Sequence, residues 1–293
     1  MRNLHKYYYK DYFRNLDFSY LLETDAKAPD SVKNEIKRRN SVLTGDEYAQ
    51  NPRQAHSPLR QEAKIINEVS PADERFTLQI SYPGLVTGIG INHEAKIEGE
   101  FKLGVHFDWT HGMPVVYGSS VKGVLRSWFM DVYETSDKKY YECGIDAGDL
   151  MMNIFEGAYD RDIDAEKKRY GKDWEDKVTD PGKRIYKSHE SIYKRDIFFD
   201  AVIVKADKKG RILASDSITP HGGENHDNPL LNPKPITFMK IASGCTMELR
   251  FKLMPSDING KTFTAAQKKT LFEEILKTVG VGAKTNVGYG QLK

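Results

Sequence analysis

Three stretches of this 293-residue chain set lysine and hydroxyl side chains among glycines. That combination suits phosphate: glycine lets backbone N–H groups come close to an anion, and lysine supplies charge. In YGSSVKGVLR, residues 117–126, a strand is expected to end at Tyr117, with Gly118 freeing the backbone and Ser120 capping a helix. The unpaired N–H groups of the first turn would then form an anion site. Lys122 falls in that turn against the helix dipole, a cost that a bound anion would offset. A capped helix with an exposed lysine explains the same residues equally well. In GVGAKTNVGYGQL, residues 280–292, Gly280, Gly282, Gly288 and Gly290 surround Lys284, Thr285, Asn286 and Tyr289. Here Lys284 would contribute charge and Tyr289 a stacking face. YPGLVTGIGINHE, residues 82–94, is the third, and a β-hairpin corner accounts for it as readily as a binding loop. Neither a P-loop nor a dinucleotide fingerprint is present: the lysine spacing fails the first, and 280–292 follows a helix rather than a strand.

Catalysis would be sought at the histidines. A metal-independent ribonuclease needs a base beside a 2′-hydroxyl, and His93, next to a glycine loop, is the best placed. His221, Glu224, His226 and Asp227 could surround a metal, but a polar loop broken by Gly and Pro is the simpler account. Asp160, Asp162 and Asp164 read as a solvated surface. Cys143 and Cys245 have no CxxC partner, which leaves them as packing thiols and excludes a disulfide framework. No Ser-His-Asp or Cys-His signature is visible.

The elements that position these residues follow from hydrophobic spacing. Residues 1–75 are polar and broken by prolines, which predicts a helical or loop-rich arm with helices near 31–39, capped by Ser31, and 59–69. Strands are expected at 76–81, 97–107, 115–117, 196–205, 236–241 and 245–254. In the second of these Ile97, Phe101, Leu103, Val105 and Phe107 would face the core and Glu98, Glu100, Lys102 and His106 the other side. Cys245, Met247, Leu249, Phe251 and Leu253 alternate likewise against Glu248, Arg250 and Lys252. A helix carries Val124, Leu125, Trp128, Phe129 and Val132. Another, with a Thr264/Gln267 capping box, carries Leu271, Ile275, Leu276 and Val279 and stops at Gly280. The polar block 134–195 reads as an insertion. Residues 76–293 therefore form an α+β domain, an antiparallel sheet with helices on one face, of the ferredoxin-like or RNA-recognition type.

Forty-four basic residues balance 42 acidic ones, so net charge gives no reason to expect indiscriminate polyanion binding. Distribution differs from the total: residues 261–293 hold six Lys and two Glu. Sixteen Tyr against 13 Phe suit surfaces that are apolar on one side and wet on the other, either base-stacking platforms or, more commonly, a tyrosine-rich core edge. No membrane-spanning apolar run and no secretory leader is seen, which predicts a cytoplasmic protein.

Taken together, YPGLVTGIGINHE, GMPVVYGSSVKGVLRSWF (112–129), DIFFDAVIV (196–204), SDSITPH (215–221) and GVGAKTNVGYGQ (280–291) resemble the RAMP superfamily of CRISPR-associated proteins, most closely the sixth subunits of type III-B Cmr effector complexes. The resemblance spans Phe76 to Lys293 and does not include the arm. It implies a modified RNA-recognition-like fold and a non-catalytic structural subunit that caps the backbone near the crRNA 3′ region. The implied partners are crRNA, target RNA and the other Cmr subunits, with no cofactor, no metal and no membrane. It places Ser119, Ser120, Lys122, Arg126, Gly282, Lys284 and Thr285 near RNA, beside the Asn286 and Tyr289 already singled out. HGGENHDNP after SDSITPH departs from the aromatic residues expected there. A CRISPR RNA-processing endonuclease using His93 is the alternative.

Overall fold

The computed structural model describes residues 3–23, 27–45, 72–88, 95–102, 104–135, 143–162, 185–219 and 235–293. The segment 59–69, His93 and the loop 221–229 lie outside them. In chain order the elements are α1 (Asp30–Thr44), β1 (Glu74–Gln79), β2 (Val115–Val116), α2 (Gly118–Ser127), α3 (Phe129–Thr135), α4 (Ala147–Glu156), β3 (Ala158–Asp162) and β4 (Ile185–His189). There follow β5 (Ile197–Phe198), β6 (Ala201–Lys205), β7 (Leu213–Ile218), β8 (Ile236–Ile241), β9 (Thr246–Lys252), β10 (Ser256–Ile258), β11 (Lys261–Phe263) and α5 (Ala265–Val279).

The main sheet is antiparallel in the order β1-β9-β6-β2, with β5 also on β9. Its open edge at β1 is closed by the C-terminus: Gln79 and Lys293 exchange N–H···O bonds of 2.8 and 3.0 Å, and Ser81 N–H bonds Gln291 O. The tail, β1, β9 and β6 thus lie side by side, with α2 inserted between β1 and β6 and α5 between β9 and the tail. That is the β-α-β-β-α-β order of a ferredoxin-like fold. The antiparallel pair β7-β8 is inserted between β6 and β9, and β3-β4 belongs to the 134–195 insertion.

Core packing follows the spacing that predicted it. Leu271, Phe272, Ile275 and Leu276 line one side of α5, all fully buried, and the Phe272 ring meets Phe251 of β9 and Phe198 of β5 at 5.5 and 5.8 Å. The predicted capping box on Thr264 and Gln267 is present. Lys268 of the same helix is buried instead of solvated, because its ammonium sits 2.6 Å from both the Asp196 carboxylate and Met254 O.

Four expectations need correction. Among the described residues of 97–107 there is no continuous strand: of its core face Ile97, Phe101, Val105 and Phe107 are buried, but the pairing there is limited to single bridges at Gly104 and Phe107. The arm bonds the backbone of the segment's first half and of Ala95 before it, while Lys102 N–H bonds Thr237 O of β8. Tyr8 O–H donates to Phe101 O (2.9 Å), Phe101 N–H to Tyr12 Oη, Asn40 Nδ2 to Gly99 O and Tyr20 O–H to Ala95 O. Side chains stand where a neighbouring strand would be, and the arm shares the sheet's hydrophobic cluster through Leu4, Tyr8, Tyr12, Val32 and Ile36. Glu100, expected on the polar face, is buried there too. Second, α1 starts at Asp30 on a Pro29 cap, not on Ser31. Third, Arg250 of the predicted polar face of β9 is fully buried and ion-paired with Glu248 at 2.7 Å. Finally, the run 196–205 breaks into β5 and β6 because Asp200 leaves the ladder for another task.

Candidate nucleic-acid interface

That task is capping α2. Asp200 Oδ1 accepts the Gly118 N–H at 2.7 Å, and the helix begins at Gly118 with Tyr117 as cap residue and no side-chain bond from Ser120. The expectation of an anion site capped by Ser120 is corrected on both counts: an internal carboxylate occupies the first donor, and Ser120 lies inside the turn, where its N–H bonds Tyr117 O at 2.8 Å. Gly118 is required by contact, since a Cβ there would lie 2.1 Å from Phe198 O. Ser119 and Ser120 remain exposed on the first turn. Lys122 does not extend from that turn; its ammonium lies 5.7 Å from the centre of the Phe198 ring, a cation–π contact. Arg126 is exposed but ion-paired with Glu156 of α4.

Beyond α5 the chain folds back, and the loop 281–290 meshes with 82–88. Ala283 N–H bonds Val86 O (2.7 Å), Gly290 N–H bonds Gly84 O (2.8 Å) and Val281 N–H bonds Gly290 O (2.9 Å). Gly282 has φ +96°, and a Cβ on it would come within 2.4 Å of Val86 O. Its role is close approach to the protein's own backbone, where the sequence had suggested approach to a phosphate. What the loop presents outward is its tip, where Lys284 (φ +61°) leads into a 3-10 turn, Thr285–Val287, with Asn286 and Val287 exposed.

Tyr289 is likewise corrected. Its ring is 8% exposed, edge-on to Phe238, and its O–H donates to Asp216 Oδ2 at 2.7 Å. Lys240 reaches the same oxygen at 2.5 Å and lies over the ring, 5.6 Å from its centre. Burial and the adjacent Asp216 carboxylate push the phenol above its usual range, while hydrogen bonds from Lys240 and Tyr289 hold Asp216 below its own against the opposing effect of burial. Tyr289 therefore anchors the loop to β7 and β8, and its faces are taken. An open aromatic face near this loop belongs to Tyr82, 85% exposed, one residue before the Pro83 that borders Gly288. The turn signal Tyr82-Pro83-Gly84 was readable in the sequence; that the tyrosine ahead of it faces outward was not.

The three stretches are joined through one histidine. Gly88 bridges Gly104, Thr87 Oγ1 accepts the His106 N–H at 2.7 Å, and the His106 ring stacks on Tyr117 at 4.8 Å, one residue before α2. The order along this line is Lys284 tip, residues 82–88, His106, Tyr117 and the Ser119–Ser120 turn. Burial lowers the pKa of His106, so its ring contributes shape and no charge. Most of the positive charge of 261–293 is engaged internally: Lys268 with Asp196, Lys269 with Glu74 (2.9 Å), Lys277 with Glu273 (2.6 Å) and Lys261 with Gly144 O. Lys284, the lysine of the glycine loop, is half-buried at the loop's tip, beside the exposed Asn286. Among the described residues no His, Cys, Asp and Glu cluster could hold a metal, and no helix is long and apolar enough to cross a membrane.

A solved structure titled as the type III-B Cmr-beta bound to cognate target RNA aligns with 99% of this chain and 85% of the matched chain, at 14% identity and a TM-score of 0.47. Cmr6 from Pyrococcus furiosus aligns with 75% of this chain and 97% of its own, at 18% identity and a TM-score of 0.31. No curated protein matches the sequence. The RAMP superfamily model matches residues 35–293, starting within α1 and so including part of the arm, and the chain belongs to the RAMP superfamily.

Proposed function

We propose that the chain is a non-catalytic RNA-binding subunit of a type III-B CRISPR effector complex, one that caps the backbone near the crRNA 3′ region. The observation that carries this reading is the line of joined loops with Lys284 and Thr285 half-buried at one end and the exposed Ser119 and Ser120 at the other, in a chain of the RAMP superfamily. Such groups contact phosphate and sugar and read no sequence, as a subunit that must accept any guide requires. Lys284, Thr285 and Asn286 carry the contact at one end, and Ser119 and Ser120 at the other. Lys122 and Arg126 join them only by leaving Phe198 and Glu156. Gly282 and Tyr289 act through the loop that they shape.

Incubating the purified protein with single-stranded guide and repeat RNA in EDTA tests the reading. Binding without cleavage is expected. Cleavage abolished by His93→Ala would overturn it in favour of a processing endonuclease.

A further inference from the structure

The line of loops continues past Tyr117 in the other direction along the chain, into the hairpin closed by the Phe107–Pro114 bridge. Trp109 sits at its turn, 78% exposed. The turn is fixed: Asp108 Oδ1 accepts the N–H groups of Thr110 (2.7 Å) and His111 (3.0 Å), and Gly112 N–H bonds Asp108 O while Gly112 O accepts the His5 N–H. One side of the indole is backed by rings. His5 lies 4.5 Å away and Tyr9 6.5 Å, the latter within 11° of parallel, and Tyr9 meets the buried Tyr8 at 5.1 Å. An exposed tryptophan held on a fixed turn and stacked from behind is a pre-formed π surface, so a ligand need not order it on binding.

Two further features characterise what would lie there. His5 Nε2 and His111 Nδ1 are shielded from solvent inside the fold, so these histidines support the turn from beneath and leave the indole face as the surface a ligand meets. Lys6 and Lys10 are exposed on the same helical turns as His5 and Tyr9. A flat aromatic ring attached to a phosphate matches an exposed indole beside exposed lysines, whereas an apolar side chain of a protein partner would bring no counter-charge to them. We infer that Trp109, backed by Tyr9 and His5, is a stacking platform for one unpaired nucleobase of the RNA strand that passes the Ser119–Ser120 turn. The inference rests on the reading of the chain as an RNA-binding subunit.

The test is a titration of single-stranded RNA, with and without abasic sites, against the wild-type protein and the Trp109→Ala, Trp109→Phe and Lys284→Ala variants. Trp109→Ala should weaken binding to normal RNA about 5- to 150-fold, the range of one stacked base. Its salt dependence should stay that of the wild type, Trp109→Phe should recover most of the loss, and abasic RNA should erase the difference between Trp109→Ala and wild type. Unchanged affinity in Trp109→Ala alongside weakened binding in Lys284→Ala would overturn the platform and leave the interface standing. A Trp109→Ala loss that persists on abasic RNA would also overturn it, as a structural effect. Absence of RNA binding by the wild-type protein would remove the functional reading and the platform together.

Discussion

Lys284 adopts a left-handed backbone conformation (φ +61°) that glycine would accept freely, at a position flanked by glycines. A non-glycine residue there carries a cost of about 1–2 kcal/mol, and such a cost is retained where the side chain has work to do. Lys284→Gly should therefore leave stability unchanged or raise it by up to about 1.5 kcal/mol, after allowing about 0.5–1 kcal/mol for the extra freedom of glycine when unfolded, while RNA affinity falls. Urea unfolding and an RNA titration of the same variant check both halves; a clear loss of stability would make the lysine a structural residue. Lys284 was legible in the sequence as charge among glycines. The role of Tyr289 was not, because its partner Asp216 lies 73 positions away and no local spacing says whether a tyrosine turns inward.

At the scale of elements, α2 shows the same division. Of its predicted apolar side Leu125 is buried, joined by Val121 one turn earlier, while Val124 is half-buried and Trp128, expected to face the core, is exposed at the break between α2 and α3. Its cap comes from Asp200, 82 positions on, and long-range capping leaves no trace in a window of ten residues. Asp200→Ala should destabilise the protein by about 1 kcal/mol, the usual cost of a lost cap. Asp200→Asn keeps an oxygen for Gly118 N–H and should hold most of the stability. Removing this negative charge near Ser119 should tighten RNA binding at low salt, an advantage that vanishes as screening increases. An unfolding midpoint for Asp200→Ala equal to that of the wild type would show that the bond contributes nothing. The terminal helix α5, by contrast, was readable from end to end, since its capping box, its apolar stripe and its Gly280 stop are all local signals.

For the whole molecule, the strands and helices of the main sheet were recoverable in order from alternation and helical spacing, apart from 97–107, but the union of arm and sheet was not. It depends on tyrosine hydroxyls and Asn40 bonding the backbone of 95–101, contacts that have no period. One result of that union is a buried carboxyl. Burial raises the pKa of Glu100 from its usual value, with Lys102 at 3.5 Å opposing the shift in part. The folded state then holds the Glu100 proton more tightly than the unfolded state does. The stability associated with it is complete below the ordinary glutamate pKa and declines as pH rises through the raised folded value. Glu100→Gln should flatten this part of the stability profile and stabilise the protein at neutral pH. Urea unfolding of wild type and variant between pH 4 and 8 checks the sign, and a difference that does not change with pH would contradict it.

Near-neutral total charge and the engaged lysines of 261–293 mean that RNA binding along the joined loops depends on few cations. The most direct measurement is the salt dependence of affinity for single-stranded RNA in the wild type and in Lys284→Ala and Lys122→Ala. Lys284→Ala should bind more weakly, with a log–log slope shallower by about 0.7–1, one phosphate's worth of released counterion. Lys122→Ala, whose ammonium is held over Phe198, should change less. Wild-type affinity and slope in Lys284→Ala would contradict the interface.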